Sequence, residues 1–240
     1  MRAPARRLAV PCLVVLALTA CDATFGQKSG ATKQSHGMSD LWRAGVIAAI
    51  VIGALVVALI LWCVLRYGRR GRDDLPSQRQ YIIPLEILYT AIPVVIVLVF
   101  FGFSWAVQDN VDALKARPDL TVDVQGFQWQ WRFAYPEEHV TVVGLPDRTP
   151  VMVLPVGQTT RLRLVSRDVI HSFYVPSFLF KRDVIPGLKN QFDVTPDKTG
   201  TFRGYCAEFC GLDHARMTFA VKVVSPTEFR AWAARHRAAA

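Results

Sequence analysis

At 240 residues the chain exceeds the usual single domain of roughly 100–150 residues, so one or two structural units are expected. A hydrophobic content of 52% is more than a soluble globule needs and points to the lipid bilayer. The formal charge of +9 does not mark a nucleic-acid partner: the excess is 11 basic to 5 acidic in residues 1–105, beside apolar segments, against 17 to 14 in residues 106–240.

The first 20 residues combine a basic start (Arg2, Arg6, Arg7) with an apolar run from Leu8 to Leu18. That is the layout of a secretory signal peptide, whose core is too short to span a bilayer. Leu18-Thr19-Ala20-Cys21 resembles the lipobox of bacterial lipoproteins, which would leave Cys21 as the lipidated first residue. An ordinary signal peptide with a chance cysteine is the alternative, and Cys12 is discarded in either case. Residues 21–43 then read as a flexible exported tether, polar and rich in Gly, Ser, Lys and Gln.

From Ala44 to Leu65 run 22 residues without a charge, about 33 Å of helix against a hydrocarbon core of about 30 Å. Trp42 and Tyr67 flank this span as interface anchors, and Cys63 inside it only packs. The loop 66–84 carries Arg66, Arg69, Arg70, Arg72 and Arg79 against Asp73 and Asp74, which assigns it to the cytoplasmic side. A second apolar run, 85–105, contains Glu86 and Pro93 and returns the chain across the membrane. The exported end and the arginine-rich loop are independent signals, and they agree.

After a linker at 106–119 the pattern changes to alternation, over Leu120–Val124, Val151–Leu154, Thr160–Val165, Gln191–Val194 and Phe219–Val224. Turn formers such as Gly144, Pro146-Asp147 and Pro186-Gly187 lie between these runs. Short strands at such spacing predict an antiparallel sandwich over 120–224. Residues 225–240 should form a C-terminal helix and tail, because Ser225-Pro226-Thr227-Glu228 is a capping box with proline at the first helical position.

Cys206, Glu208, Cys210, His214 and Met217 fall within 12 residues between two strand-like runs, so they share one loop. Two thiolates, an imidazole and a thioether are the soft and borderline donors that select copper over magnesium or calcium. Zinc would want four strong tetrahedral ligands, and methionine is a poor one. A Cys206–Cys210 disulfide would leave His214 and Met217 unexplained. One cysteine can hold a single blue copper, whereas two allow a copper pair to share both sulfurs; such a pair needs a further imidazole. His171, 35 residues before Cys206, is the candidate, while His36, His139 and His236 lie in the tether, a turn and the terminal helix.

With these residues in place, the chain resembles cytochrome c oxidase subunit II over nearly its whole length. The loop meets the family pattern Cys-x-Glu-x-Cys-Gly-x-x-His-x-x-Met at every position. Asp168-Val169-Ile170-His171-Ser172-Phe173, then Val175-Pro176, Lys181-Arg182-Asp183 and Pro186-Gly187, match its first-histidine region. The resemblance implies a two-helix transmembrane hairpin followed by an all-β cupredoxin-like Greek-key sandwich. It implies a binuclear copper centre on His171, Cys206, Cys210, His214 and Met217, with the Glu208 carbonyl as a further ligand. It implies a magnesium ion at the interface with subunit I, held partly by the Glu208 carboxylate.

Gly126-Phe127-Gln128-Trp129-Gln130-Trp131-Arg132-Phe133 resembles the family's aromatic segment, in which the residue matching Trp129 receives the electron from cytochrome c. Phe127 and Gln130 depart from a common histidine and tyrosine there. Core packing is the ordinary use of such an alternation. Leu85-Glu86-Ile87-Leu88-Tyr89-Thr90 resembles the start of the family's second helix, where the matching glutamate lies near the mouth of a proton-uptake path; a snorkelling interfacial carboxylate is the alternative. The implied partners are oxidase subunit I, other oxidase subunits, the bilayer, and cytochrome c or a membrane-bound cytochrome donor. The copper domain would lie on the extracytoplasmic face. Subunit II of a quinol oxidase lacks these copper ligands. A membrane-tethered copper carrier or sensor leaves Glu86 and the Trp-Gln-Trp segment unexplained, and a nitrous oxide reductase needs a second, histidine-rich copper domain that this chain lacks.

Overall fold

The structure, a computed structural model, describes residues 25–68 and 77–237. The expected signal peptide with Cys12, the lipobox cysteine Cys21, and Arg69, Arg70, Arg72, Asp73 and Asp74 of the loop lie outside the described residues.

The chain divides into two compact units. One, Asp40–Gln108, is built from two helices, α1 (Lys33–Tyr67) and α2 (Ile83–Asp112), each long and apolar enough to cross a membrane. A helix suits such a run because it satisfies every backbone polar group without water. The apolar side chains face outward, with Leu65 65% and Trp105 68% exposed, a surface that only lipid or partner helices can cover. Glu86 sits in the first turn of α2 and accepts a hydrogen bond from the Ile82 backbone N–H at 3.4 Å. An anion there faces the positive end of the helix dipole.

The other unit is the sandwich. One sheet has the order β3–β2–β1–β5–β8, from β1 (Leu120–Phe127), β2 (Gln130–Tyr135), β3 (Val140–Val143), β5 (Thr160–Ser166) and β8 (Asn190–Val194). Its partner runs β4–β10–β9–β6–β7, from β4 (Val151–Pro155), β6 (His171–Val175), β7 (Phe180–Val184), β9 (Gly200–Cys206) and β10 (Thr218–Val224). Two neighbouring pairs, β1 with β5 and β4 with β10, are parallel, so the sheets are mixed where alternation suggested antiparallel strands throughout. Such pairs require the long crossovers that join the two layers. Between the layers lies an aromatic core: Phe173 stacks on Phe219 at 4.7 Å between ring centroids, and Trp131 meets Phe219 edge-on at 5.2 Å. Tyr135 is fully buried, but its hydroxyl donates to Val153 O and accepts from Val153 N, so its own polar end is satisfied. Helix α3 (Pro226–Arg237) closes the fold, capped by the reciprocal bonds of Ser225 and Glu228.

Two segments differ from their sequence reading. The C-terminal part of the expected tether is not a free linker. Ala31, Thr32 and Ser35 are buried, Ala31 N donates to Ser177 O at 2.8 Å, and Lys33 N donates to Thr195 O at 2.9 Å. Small polar residues suggested flexibility, but here their size lets the backbone lie against the sandwich, and α1 starts at Lys33 rather than near residue 44. The expected linker at 106–119 is likewise helical to Asp112. Beyond it, Lys115 N donates to Asp193 Oδ2 at 2.7 Å, and Arg161 Nη2 donates to Lys115 O at 2.6 Å. The paired, largely buried Arg161 and Asp193 hold this stretch in place.

Candidate metal centre

Antiparallel β6 and β9 set Phe173 opposite Cys206, which brings His171 and Cys206 to the same end of the sandwich. The loop from Cys206 then turns back on itself. Cys206 N donates to Met217 O at 3.0 Å, Ala207 N to Ser172 O at 3.0 Å, and Met217 N to His214 O at 3.2 Å. These backbone bonds fold the donor-rich segment over the buried end of β6, so residues distant in sequence meet.

The sulfurs of Cys206 and Cys210 are 3.8 Å apart. Two thiolates bound to one tetrahedral metal at about 2.3 Å each would have about that separation. His171 Nδ1 lies 3.8 Å and Glu208 O 3.3 Å from Cys206 Sγ. His214 Nδ1 lies 3.6 Å and Met217 Sδ 3.7 Å from Cys210 Sγ. Each sulfur therefore has one imidazole and one weaker donor of its own. Six donors exceed the four that a single tetrahedral ion takes, and they divide evenly about the shared sulfur pair. Their softness suits copper. His171, Cys206 and Cys210 are all buried, so water does not compete for their positions.

Outer contacts hold the candidate ligands. His171 Nε2 lies 2.9 Å from Asp168 Oδ1, and with the proton on Nε2 the free lone pair is on Nδ1, toward the sulfurs. Asp168 is itself held by Gln128 N at 2.6 Å and Val169 N at 2.7 Å. Burial raises the Asp168 pKa, but those N–H groups and the imidazole outweigh it and lower the carboxyl below its ordinary value. Burial also raises Cys206, yet the hydrogen bond with His171 prevails and the thiol falls to about 7. Cys210 is pushed up to about 12 by burial and by the neighbouring Cys206 charge. The pair thus gives up one proton more readily than the other, and metal loading must release both.

Gln128 Nε2 and Trp129 Nε1 both donate to Cys210 O, at 2.8 and 3.2 Å. Gly211, at φ +124°, leaves room for them, since a Cβ there would come within 3.0 Å of the Trp129 indole nitrogen. Gly126 similarly makes room for the His171 ring. Gln128 and Trp129 form the two-residue turn between β1 and β2, so Trp129 is half-buried while Trp131 is fully buried in the core. Strand alternation would have put both rings on one face; the turn separates them. The structure thus gathers His171, Cys206, Glu208, Cys210, His214 and Met217, with Trp129 against the loop. Glu86 belongs to the helical unit. Sequence reasoning gave no role to Asp168 or Gln128; an acid three residues before a candidate ligand was the signal available.

Residues 10–107 match the family described as cytochrome C oxidase subunit II, transmembrane domain, and residues 141–224 match cytochrome C oxidase subunit II, periplasmic domain. A probable cytochrome c oxidase subunit 2 of Streptomyces coelicolor is 41% identical over 244 residues, covering 85% of this chain and 76% of that protein. Cytochrome c oxidase subunit 2 of Mycobacterium bovis is 33% identical over 267 residues, covering 87% and 74%. The crystal structure of the periplasmic domain of subunit II of the Bradyrhizobium japonicum cytochrome oxidase is 36% identical, covers 52% of this chain and 97% of its own, and superposes with a TM-score of 0.47.

Proposed function

Because the chain belongs to the cytochrome c oxidase subunit II family, we propose that it is the electron-accepting subunit of a haem-copper oxidase and holds two coppers on its sandwich. His171, Cys206, Cys210, His214, Met217 and the carbonyl of Glu208 are the ligands. When bound, the copper pair supplies one-electron chemistry with the charge spread over two metals. The chain's contribution is rigidity: Asp168 orients His171, and backbone bonds at Cys206 and Met217 hold the loop, so little reorganises when charge arrives.

The subunit takes electrons from cytochrome c or a membrane-bound cytochrome donor, with Trp129 as the receiving ring, and passes them to haem in subunit I. There oxygen is reduced to water, coupled to proton translocation. The exposed Glu208 carboxylate offers hard oxygen to a magnesium ion at the subunit I interface, and Glu86 stands at the mouth of a proton path. The sandwich lies on the extracytoplasmic face of the cell membrane, loop 66–84 is cytoplasmic, and Cys21 carries lipid.

The observation that carries this reading is the even division of six donors about two sulfurs 3.8 Å apart. The test is metal analysis and electron-spin spectroscopy of the full chain, purified in detergent and reconstituted with copper. Two coppers per chain and a purple mixed-valence spectrum are expected, and Cys206→Ser or Cys210→Ser should each abolish that spectrum. A single blue-type copper, or retention of zinc alone, would overturn the assignment.

A further inference from the structure

The sheet β3–β2–β1–β5–β8 turns its inner face to the core and its outer face to solvent, and a trough of about 600 Å³ crosses that outer face. Alternation along β1 and β2 sends Asp123, Gln125 and Arg132 outward. The register then lines them up across strands, Gln125 opposite both Arg132 and Val165, and Asp123 opposite Arg163. Four cations, Arg132, Arg163, Arg167 and Lys189, line the trough with the single acid Asp123. Arg163 is spent on that acid, at 2.6 Å. Among the described residues, Arg132, Arg167 and Lys189 have no ion-pair partner. Asp168, next in sequence to Arg167, gives its carboxylate to His171 and to backbone N–H groups instead.

We propose that this trough docks an acidic segment of a partner protein. Its charge is local, since residues 106–240 as a whole hold 17 basic and 14 acidic side chains. The cations are also dispersed. Arg132 on β2 and Lys189, the residue before β8, stand three strand spacings apart, about 14 Å, too far for one phosphate or carboxylate to bridge. A row of carboxylates on a protein surface fits that spacing. Strands β1, β2 and β5 are paired on both sides, so recognition comes from side chains rather than from strand addition. Val165 (41%) lines the trough and Leu188 (51%) is next in sequence to Lys189; both are exposed apolar residues, which gives the mixed apolar and arginine-rich character of a protein interface. Arg167 adjoins Asp168, so a protein seated here lies next to the residues that hold His171.

The test uses fluorescein-labelled octaglutamate with the full chain in neutral detergent, read by anisotropy across a salt series. Binding should weaken steeply with salt. The triple variant Arg132→Gln, Arg167→Gln, Lys189→Gln should raise Kd by about tenfold or more and flatten the salt dependence, while labelled octaglutamine should not bind. Lys189→Gln alone changes an exposed residue that has no ion-pair partner among the described residues, so it leaves folding intact and should still raise Kd several-fold. Equal peptide affinity for the parent chain and both variants would overturn the proposal. So would binding of tripolyphosphate, lost in Lys189→Gln, without binding of the peptide, which would make the trough a small-anion site.

Discussion

Asp168 meets the candidate metal centre through the ring of His171. Its carboxylate accepts from two backbone N–H groups and from the imidazole of His171, which is fully buried. Asp168→Asn keeps the shape but removes the charge that holds the His171 proton on Nε2. Copper affinity should fall by about 10–100-fold, measured by chelator competition, while the metal-free chain melts near the parent temperature. An unchanged affinity, or an equal loss of metal-free stability, would show that Asp168 serves the fold and not the ligand. The candidate donors of the loop were legible because Cys206, Cys210, His214 and Met217 crowd one short segment with an unusual donor set. His171 could be offered as the further imidazole from its place in the sequence, but a lone histidine 35 residues away carries no signature of its own and the resemblance was needed to choose it. Asp168 went unread because its role exists only after β6 has brought His171 to the loop.

Among the elements, β1, β5 and β10 alternate in burial as they were read, whereas β4 and β8 were read as strands although their burial is nearly continuous. β1 runs buried and half-buried in turn, as its sequence suggests. In β6, His171, Ser172 and Phe173 are all buried because loop and sheet cover both faces, so no period of two survives. β7 is an edge strand with the polar run Lys181-Arg182-Asp183, and β3 has only four residues. Register also imposes a demand that no local pattern announces. Gly204 of β9 stands opposite Phe219 of β10, and a Cβ on it would come within 2.2 Å of the Phe219 ring. That ring is fully buried against Trp131, Phe133 and Phe173 and has nowhere to move. Gly204→Ala should therefore cost about 1–3 kcal/mol, read from chemical denaturation of the full chain. Parent-like stability would mean that the sheets separate more readily than this packing implies.

For the whole molecule, the division into hairpin and sandwich follows from a change of period, from long uncharged runs to alternation, and the order of residues along the chain reveals it. The proposed entry of the electron is less visible in the sequence, because it rests on a turn. Trp129 and Trp131 are two residues apart, yet only Trp129 reaches solvent, since Gln128 and Trp129 make the β1–β2 turn. The Trp129 indole touches the metal loop through Cys210 O, and Gln128 donates to the same oxygen at a shorter distance. Removing the indole therefore leaves that carbonyl satisfied and the ligands in place. In the assembled oxidase, Trp129→Ala should keep two coppers and a normal spectrum, yet slow reduction by a cytochrome donor by about tenfold or more, over 1 kcal/mol of barrier. Stopped-flow reduction by the donor, with dithionite as the small-molecule control, separates the possibilities. Equal slowing with both reductants would mean that the ring supports the loop itself. No slowing with the donor would leave Trp129 a packing residue, and the electron would have to enter through another part of the loop surface, where Phe209 and Leu212 are 77% and 89% exposed.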